Sequence, residues 1–125
     1  MQRFSMPVIA LLRDRRILRV RAGLEPHRFL PIWVVLVGDR AFVRPWNDKP
    51  AGWYRAFLDE PRGAIQIAER EVPVRTRKIR GERLLDDIDA AYARKYPTRG
   101  SSKFVIGFAR PRRRATTLEL LPRSG

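Results

Sequence analysis

Alternation of apolar and polar residues with period two dominates the chain. From Ile17 to Ala22 the residues Leu18, Val20 and Ala22 alternate with Arg19 and Arg21, the pattern of a half-exposed strand, and Gly23 ends it. The strongest signal is the pair of β-rich runs Ile32–Val37 and Arg40–Arg44, joined by Gly38-Asp39, a two-residue connection favoured in hairpins. With that turn Val37 faces Arg40, Val35 faces Phe42 and Trp33 faces Arg44 on one side, with Leu36–Ala41 and Val34–Val43 on the other. A strand apolar on both faces is covered on both, by a helix or by a second subunit outside a barrel. Ala64–Glu69 and Glu71–Ile79 predict two further strands around a turn at Arg70 that lacks Gly and Asn. Phe104–Ala109 and Thr116–Leu121 predict a closing pair.

Three segments carry the helical period instead. Ser5 caps a short helix through Arg13, with Pro7 in its first turn and Val8, Leu11 and Leu12 as its apolar stripe. Asp48 and Pro50 open a second, in which Trp53/Phe57 and Tyr54/Leu58 are i,i+4 pairs and Pro61 and Gly63 mark the end. Glu82–Tyr96 is the clearest helix: Leu84, Leu85, Ile88, Ala91, Tyr92 and Lys95 share a face, the acids Asp86, Asp87 and Asp89 gather towards its start, and Pro97 stops it. The predicted order is helix, three strands, helix, two strands, helix, two strands. That mixture of hairpins and interspersed helices predicts an α+β class and a mostly antiparallel barrel.

Composition narrows the function classes. A chain of 125 residues, 44% apolar, is the size of one domain over residues 1–125 and buries a core without disulfides or structural metal. Its longest apolar run, Pro31–Val37, is strand-sized, which predicts no membrane span. Val8–Leu12 is too short for a signal-peptide core, and no Cys is present, so the expected address is cytoplasmic. His27 is the only histidine, which argues against zinc and Ser-His-Asp chemistry; no metal ligands are assigned and the catalytic residues stay unknown. The formal charge of +14 comes almost wholly from Arg, since Lys occurs only at Lys49, Lys78, Lys95 and Lys103. Such a field attracts nucleic acid, phosphorylated ligands or anionic surfaces, and an Arg-rich codon bias accounts for it equally well.

Candidate chemistry gathers at Arg44-Pro45-Trp46-Asn47-Asp48-Lys49, a strand-to-helix segment whose cations and backbone N–H groups suit a phosphate; the competing reading is a solvated loop. Trp33, Trp46, Trp53 and Tyr54 suit stacking on a flat ring, or simply the core. Acids early in a helix favour its dipole, so Asp86, Asp87 and Asp89 read as helix chemistry and not as a metal cluster. Arg70–Arg80 and Arg110–Arg114 offer phosphate contacts or are simply solvated, and without any reading helix or zinc finger the expectation is that any nucleic acid binding is non-specific.

The segment Pro50-Ala51-Gly52-Trp53-Tyr54-Arg55-Ala56-Phe57-Leu58-Asp59-Glu60-Pro61-Arg62, followed by the strand from Ala64, resembles the Trp-headed helix of deazaflavin-dependent nitroreductases and other flavin split-barrel proteins, the pyridoxamine phosphate oxidase-like group included. Gly23, Arg28 and Pro31-Ile32-Trp33 fall where those proteins carry a Gly-rich basic loop before the second strand. Asp86–Pro97 and Ala115–Pro122 are similar to the later helix and last strand of an uncharacterised bacterial family of that fold, so the resemblance runs from about Arg16 to Pro122. It implies an FMN-binding split β-barrel, a homodimer, and FMN or a deazaflavin as cofactor for an oxidoreductase of unspecified substrate. Arg44, Lys49 and Arg55 are then the phosphate contacts, and Trp33, Trp46 and Trp53 the ring contacts. Departures from the pattern are Glu60 and Ala56 where Asn is usual, and Leu24-Glu25-Pro26-His27 in place of a Gly-Arg-Lys-Ser-Gly type loop. The alternatives are a basic nucleic-acid-binding module and a cofactor-free split-barrel interaction protein.

Overall fold

A computed structural model describes residues 3–25, 28–46 and 49–123. Seven strands form one antiparallel sheet: β1 (Ile17–Ala22), β2 (Leu30–Trp33), β3 (Val35–Val37), β4 (Arg40–Val43), β5 (Arg62–Ile67), β6 (Arg70–Lys78) and β7 (Leu118–Pro122), in the order β2-β1-β5-β6-β7-β4-β3. The two outermost strands, β2 and β3, are consecutive in the chain with only Val34 between them. Both edges are therefore one stretch of backbone, and the sheet curls into a nearly closed barrel.

This closure corrects one expectation. The hairpin pairs as predicted at Val35–Phe42, Leu36–Ala41 and Val37–Arg40, but its ladder stops there. Trp33 pairs with Ile17 and Ile32 with Leu18, because at Val34 the chain leaves β4 for the other edge; neither the Trp33–Arg44 nor the Val34–Val43 pairing forms. The polar groups freed at the break are satisfied by one helix end. The Tyr96 hydroxyl accepts from the Val34 N–H at 3.2 Å and donates to the Arg16 carbonyl at 2.5 Å, while the Lys95 ammonium donates to the carbonyls of Leu12 and Val34, each at 2.8 Å.

Side chains from both faces are buried. Inside the barrel lie Leu18, Val20, Val34, Ala41, Val43, Ile65, Ile67, Val74, Leu118 and Leu120, and the same core takes in Val8, Ile9 and Leu12 of α1 (Met6–Asp14) and Tyr54 and Phe57 of α2 (Trp53–Asp59). On the outer face, Val35, Phe42 and Ile79 pack against Leu85, Ile88, Ala91 and Tyr92 of α3 (Glu82–Lys95), joined by Tyr96 and Phe108. Each such side chain, fully buried, contributes about 1.5–3 kcal/mol. The second face of the Ile32–Val37 run is thus covered by helices of the same chain.

α1 begins as the sequence dictates, with the Ser5 hydroxyl accepting from the Val8 N–H at 3.4 Å. α2 starts at Trp53 behind Gly52, and Asp48, the expected cap, lies outside the described residues. The segment expected as a strand over Phe104–Ala109 is instead helix α4 (Arg99–Phe108), followed by the short α5 (Pro111–Arg114). Phe104 and Phe108 are four residues apart, so a helix turns both towards Trp33 and Trp46. A short apolar run carries no period that separates the two states. The observed order after α2 is accordingly two strands, three helices and a single closing strand. The β5–β6 turn is Ala68-Glu69, both in the left-handed region at φ 48° and 69°.

Candidate functional site

Five of the six residues singled out in the sequence line one cleft of about 620 Å³: Trp33, Arg44, Trp46, Lys49 and Trp53, together with Phe104 and Phe108. Arg55 stands exposed on α2 and is not part of the lining. Asn47 lies outside the described residues.

The tryptophans come from three separate parts of the chain. Trp33 ends β2 and lies flat on Tyr96, ring centroids 4.0 Å apart and planes 4° apart. Trp46 follows β4 and meets Phe104 and Phe108 edge-on, at 4.9 and 5.5 Å. Its other neighbour is Arg113, whose guanidinium carbon sits 3.8 Å above the indole and whose Nε donates to the Trp46 carbonyl at 2.6 Å. Trp53 opens α2 and is braced edge-on by Phe57 at 6.3 Å. Such rings offer a flat ligand large apolar surfaces.

Arg44 is the polar anchor of this wall. Its side chain is fully buried and donates from Nε to the Thr117 hydroxyl (2.7 Å), from Nη1 to the Phe108 carbonyl (2.9 Å) and to Asp89, and from Nη2 to the Leu85 carbonyl (3.4 Å). Asp89 is shared with Arg114, which also holds Asp86 and Glu82. The acids at the start of α3 therefore neutralise guanidinium groups, and among the described residues no group of acids and histidines has a metal-binding arrangement. With its guanidinium donating to the protein through all three nitrogens, Arg44 joins β4, α3, α4 and β7 behind the tryptophans. Lys49 is the exposed cation on the lining.

Behind Trp33 the helix end of α3 closes the site. Burial pushes the Lys95 amine down to about 8 against the pull of Asp14, and pushes the Tyr96 phenol up to about 12 against its Val34 bond and the nearby Arg16. Burial likewise raises the Tyr92 phenol, well above its ordinary value.

Residues 8–120 match the family described as uncharacterized proteins conserved in bacteria, DUF2255. The chain belongs to this family. No curated protein matches it. Among solved structures, a FAD-binding protein from Mesorhizobium loti is similar over 97% of this chain and 91% of its own, with 13% identity and a TM-score of 0.58. A conserved hypothetical protein from Mycobacterium tuberculosis is similar over 98% and 83%, with 10% identity and a TM-score of 0.60. At such identities the likeness establishes the fold, the split barrel of flavin-binding proteins.

The sequence names the three tryptophans, Arg44 and Lys49 that the structure brings to one cleft, and does not single out Phe104, Phe108, Arg113 or the Lys95–Tyr96 clip. The i,i+4 spacing of the two phenylalanines suits α4, but in so short a run it does not by itself decide between helix and strand. Nothing local marks Arg113 or Tyr96, whose partners lie 67 and 62 residues away.

Proposed function

We propose that the protein holds a flavin-type cofactor, FMN or a deazaflavin, with its ring among Trp33, Trp46 and Trp53, and acts as an oxidoreductase. The observation that carries this reading is the convergence of three tryptophans and two phenylalanines on one cleft of about 620 Å³. That size and an aromatic lining with few polar groups are those of cofactor sites, roughly 300–1,000 Å³. The FAD-binding neighbour of the same fold supports it. Lys49 is the residue to contact the phosphate; Arg55, on the adjoining helix, is the second candidate, and Arg44 acts by holding the wall. When bound, the cofactor supplies hydride or electron transfer, and the protein supplies orientation and a water-poor face.

Titration with FMN, a deazaflavin and riboflavin tests the reading. FMN should bind more tightly than riboflavin, which lacks the phosphate, and Lys49→Ala should lose about tenfold for FMN while leaving riboflavin unchanged. A salt series separates this from the general attraction of a chain with net charge +14. Equal binding of FMN and riboflavin by wild type and Lys49→Ala would remove the phosphate contact, and no binding of any of the three would remove the cofactor.

A further inference from the structure

A second cleft, of about 500 Å³, shares no lining residue with the first. Arg3, Arg40, Arg75 and Arg77 bring four guanidinium groups to it, and Phe4 and Leu121 contribute apolar surface. Register explains the cluster. Glu119 on β7 is the Cα partner of Arg77 on β6 and of Phe42 on β4, and Arg40 lies two residues before Phe42 on the same face.

Glu119 is an unusual residue to find on a buried strand. Its side chain is only 3% exposed, and its carboxylate accepts from Arg40 Nε and Nη2, at 3.0 and 2.9 Å, and from Arg77 Nη2 at 2.5 Å. Burial pushes this carboxyl up, and the two arginines more than reverse the shift, so it stays ionised. The arginines themselves are about half exposed, at 45% and 52%. Arg40 Nη1 and Arg77 Nε and Nη1 donate to no described residue. A buried carboxylate thus holds Arg40 by one edge and Arg77 by one nitrogen, and leaves further donors of two cleft-lining arginines unused by the described residues. Arg40 and Arg77 against the single carboxylate of Glu119 leave this triad one positive charge. Fixed guanidinium groups recognise the oxygens of a phosphate through paired, charge-assisted hydrogen bonds.

We propose that this cleft binds a phosphomonoester dianion carrying a small apolar body, with Arg40 and Arg77 as its direct contacts and Glu119 as the residue that positions them. The probes are phenyl phosphate, inorganic phosphate and a dinucleoside phosphodiester, titrated by calorimetry at constant ionic strength. Phenyl phosphate should bind best, since the diester is a monoanion and inorganic phosphate has no apolar body. Arg77→Lys and Arg40→Lys keep the charge and lose the fork, and each should weaken phenyl phosphate about tenfold. Glu119→Gln discriminates most sharply. It adds one positive charge, so unspecific attraction predicts tighter binding, whereas release of two positioned arginines predicts weaker binding. Tighter or unchanged binding by Glu119→Gln, wild-type affinity in both Lys variants, or diester binding as tight as phenyl phosphate overturns the proposal. Should Glu119→Gln not fold, the two Lys variants, at half-exposed positions, decide alone.

Discussion

The Tyr96 ring lies parallel to the Trp33 indole at 4.0 Å, while its hydroxyl ties the Val34 N–H to the Arg16 carbonyl. One side chain thus backs the aromatic cleft and seals the point where the barrel strand changes edges. The two jobs are separable. Tyr96→Phe keeps the stack but leaves the Val34 N–H and Arg16 carbonyl without this partner, a loss of about 1–3 kcal/mol. Urea denaturation should show that loss at an unchanged slope, with ligand binding in the cleft intact; Tyr96→Ala should lose both.

Breaking the buried ion pair behind the cleft has a larger effect. Asp89→Ala leaves the Arg44 guanidinium buried with no carboxylate, which costs about 3–5 kcal/mol. The expected result is a large drop in thermal midpoint. Arg44→Ala is expected to act through the same network, opening the Leu85 and Phe108 carbonyls, so any loss of ligand in that variant must be read beside its stability.

Lys95 and Tyr96 give stability a defined pH dependence. The folded Lys95 amine titrates near 8 against an ordinary 10.5, so between those values the unfolded chain binds more protons and stability rises with pH. The neutral amine keeps two N–H donors for its two carbonyl partners, so the clip survives deprotonation. Tyr96 works in the opposite direction: its folded phenol titrates near 12 against an ordinary 10.0, and its contribution is lost as pH rises through that window. Denaturation midpoints should therefore climb from pH 8 to about 10 and then fall. Lys95→Met should abolish the climb; a climb of the same size in that variant would assign it elsewhere.

Much of the scaffold is legible in the sequence because local chemistry decides it: the Ser5 cap, the alternation of β1, the Gly38-Asp39 hairpin and the stripe of α3. The strand switch at Val34 is not, since nothing in Ile32–Val37 marks one residue of an unbroken apolar run as a break; what fixes it is a pairing with β1 and the distant Tyr96. Helix α4 was hidden for a related reason, its apolar residues being read as a strand when only the tryptophans they meet decide between the two. At the site, the tryptophans declared themselves by type, but the burial of Arg44 depends on Asp89, Thr117 and Phe108, all more than forty residues away.

The β5–β6 turn offers a gain in stability. Ala68 and Glu69 both hold left-handed backbone, which costs about 1–2 kcal/mol per residue that is not Gly or Asn. Ala68→Asn with Glu69→Gly supplies the residues such a turn favours and should add about 1–2 kcal/mol, read as a higher thermal midpoint with ligand binding unaffected.

Gly107 sits where α4 touches the cleft wall. A Cβ there would lie 2.6 Å from Trp46 Cη2 and 3.1 Å from Arg113 Nη1, so Gly107→Ala must swing the indole outwards. The helix gains about 1 kcal/mol in propensity, which offsets the lost contact, and stability should change little. Tryptophan emission should shift to the red, and FMN binding should weaken.

Whether a flavin ring sits among the tryptophans is read from the fluorescence of FMN titrated with the protein, because an isoalloxazine held against indole rings is quenched. Saturable quenching is expected in wild type, strongly reduced in Trp46→Leu and Trp33→Leu and retained in Arg77→Lys, which lines the other cleft. Unquenched FMN at saturating protein, or quenching that both tryptophan variants keep in full, would contradict it.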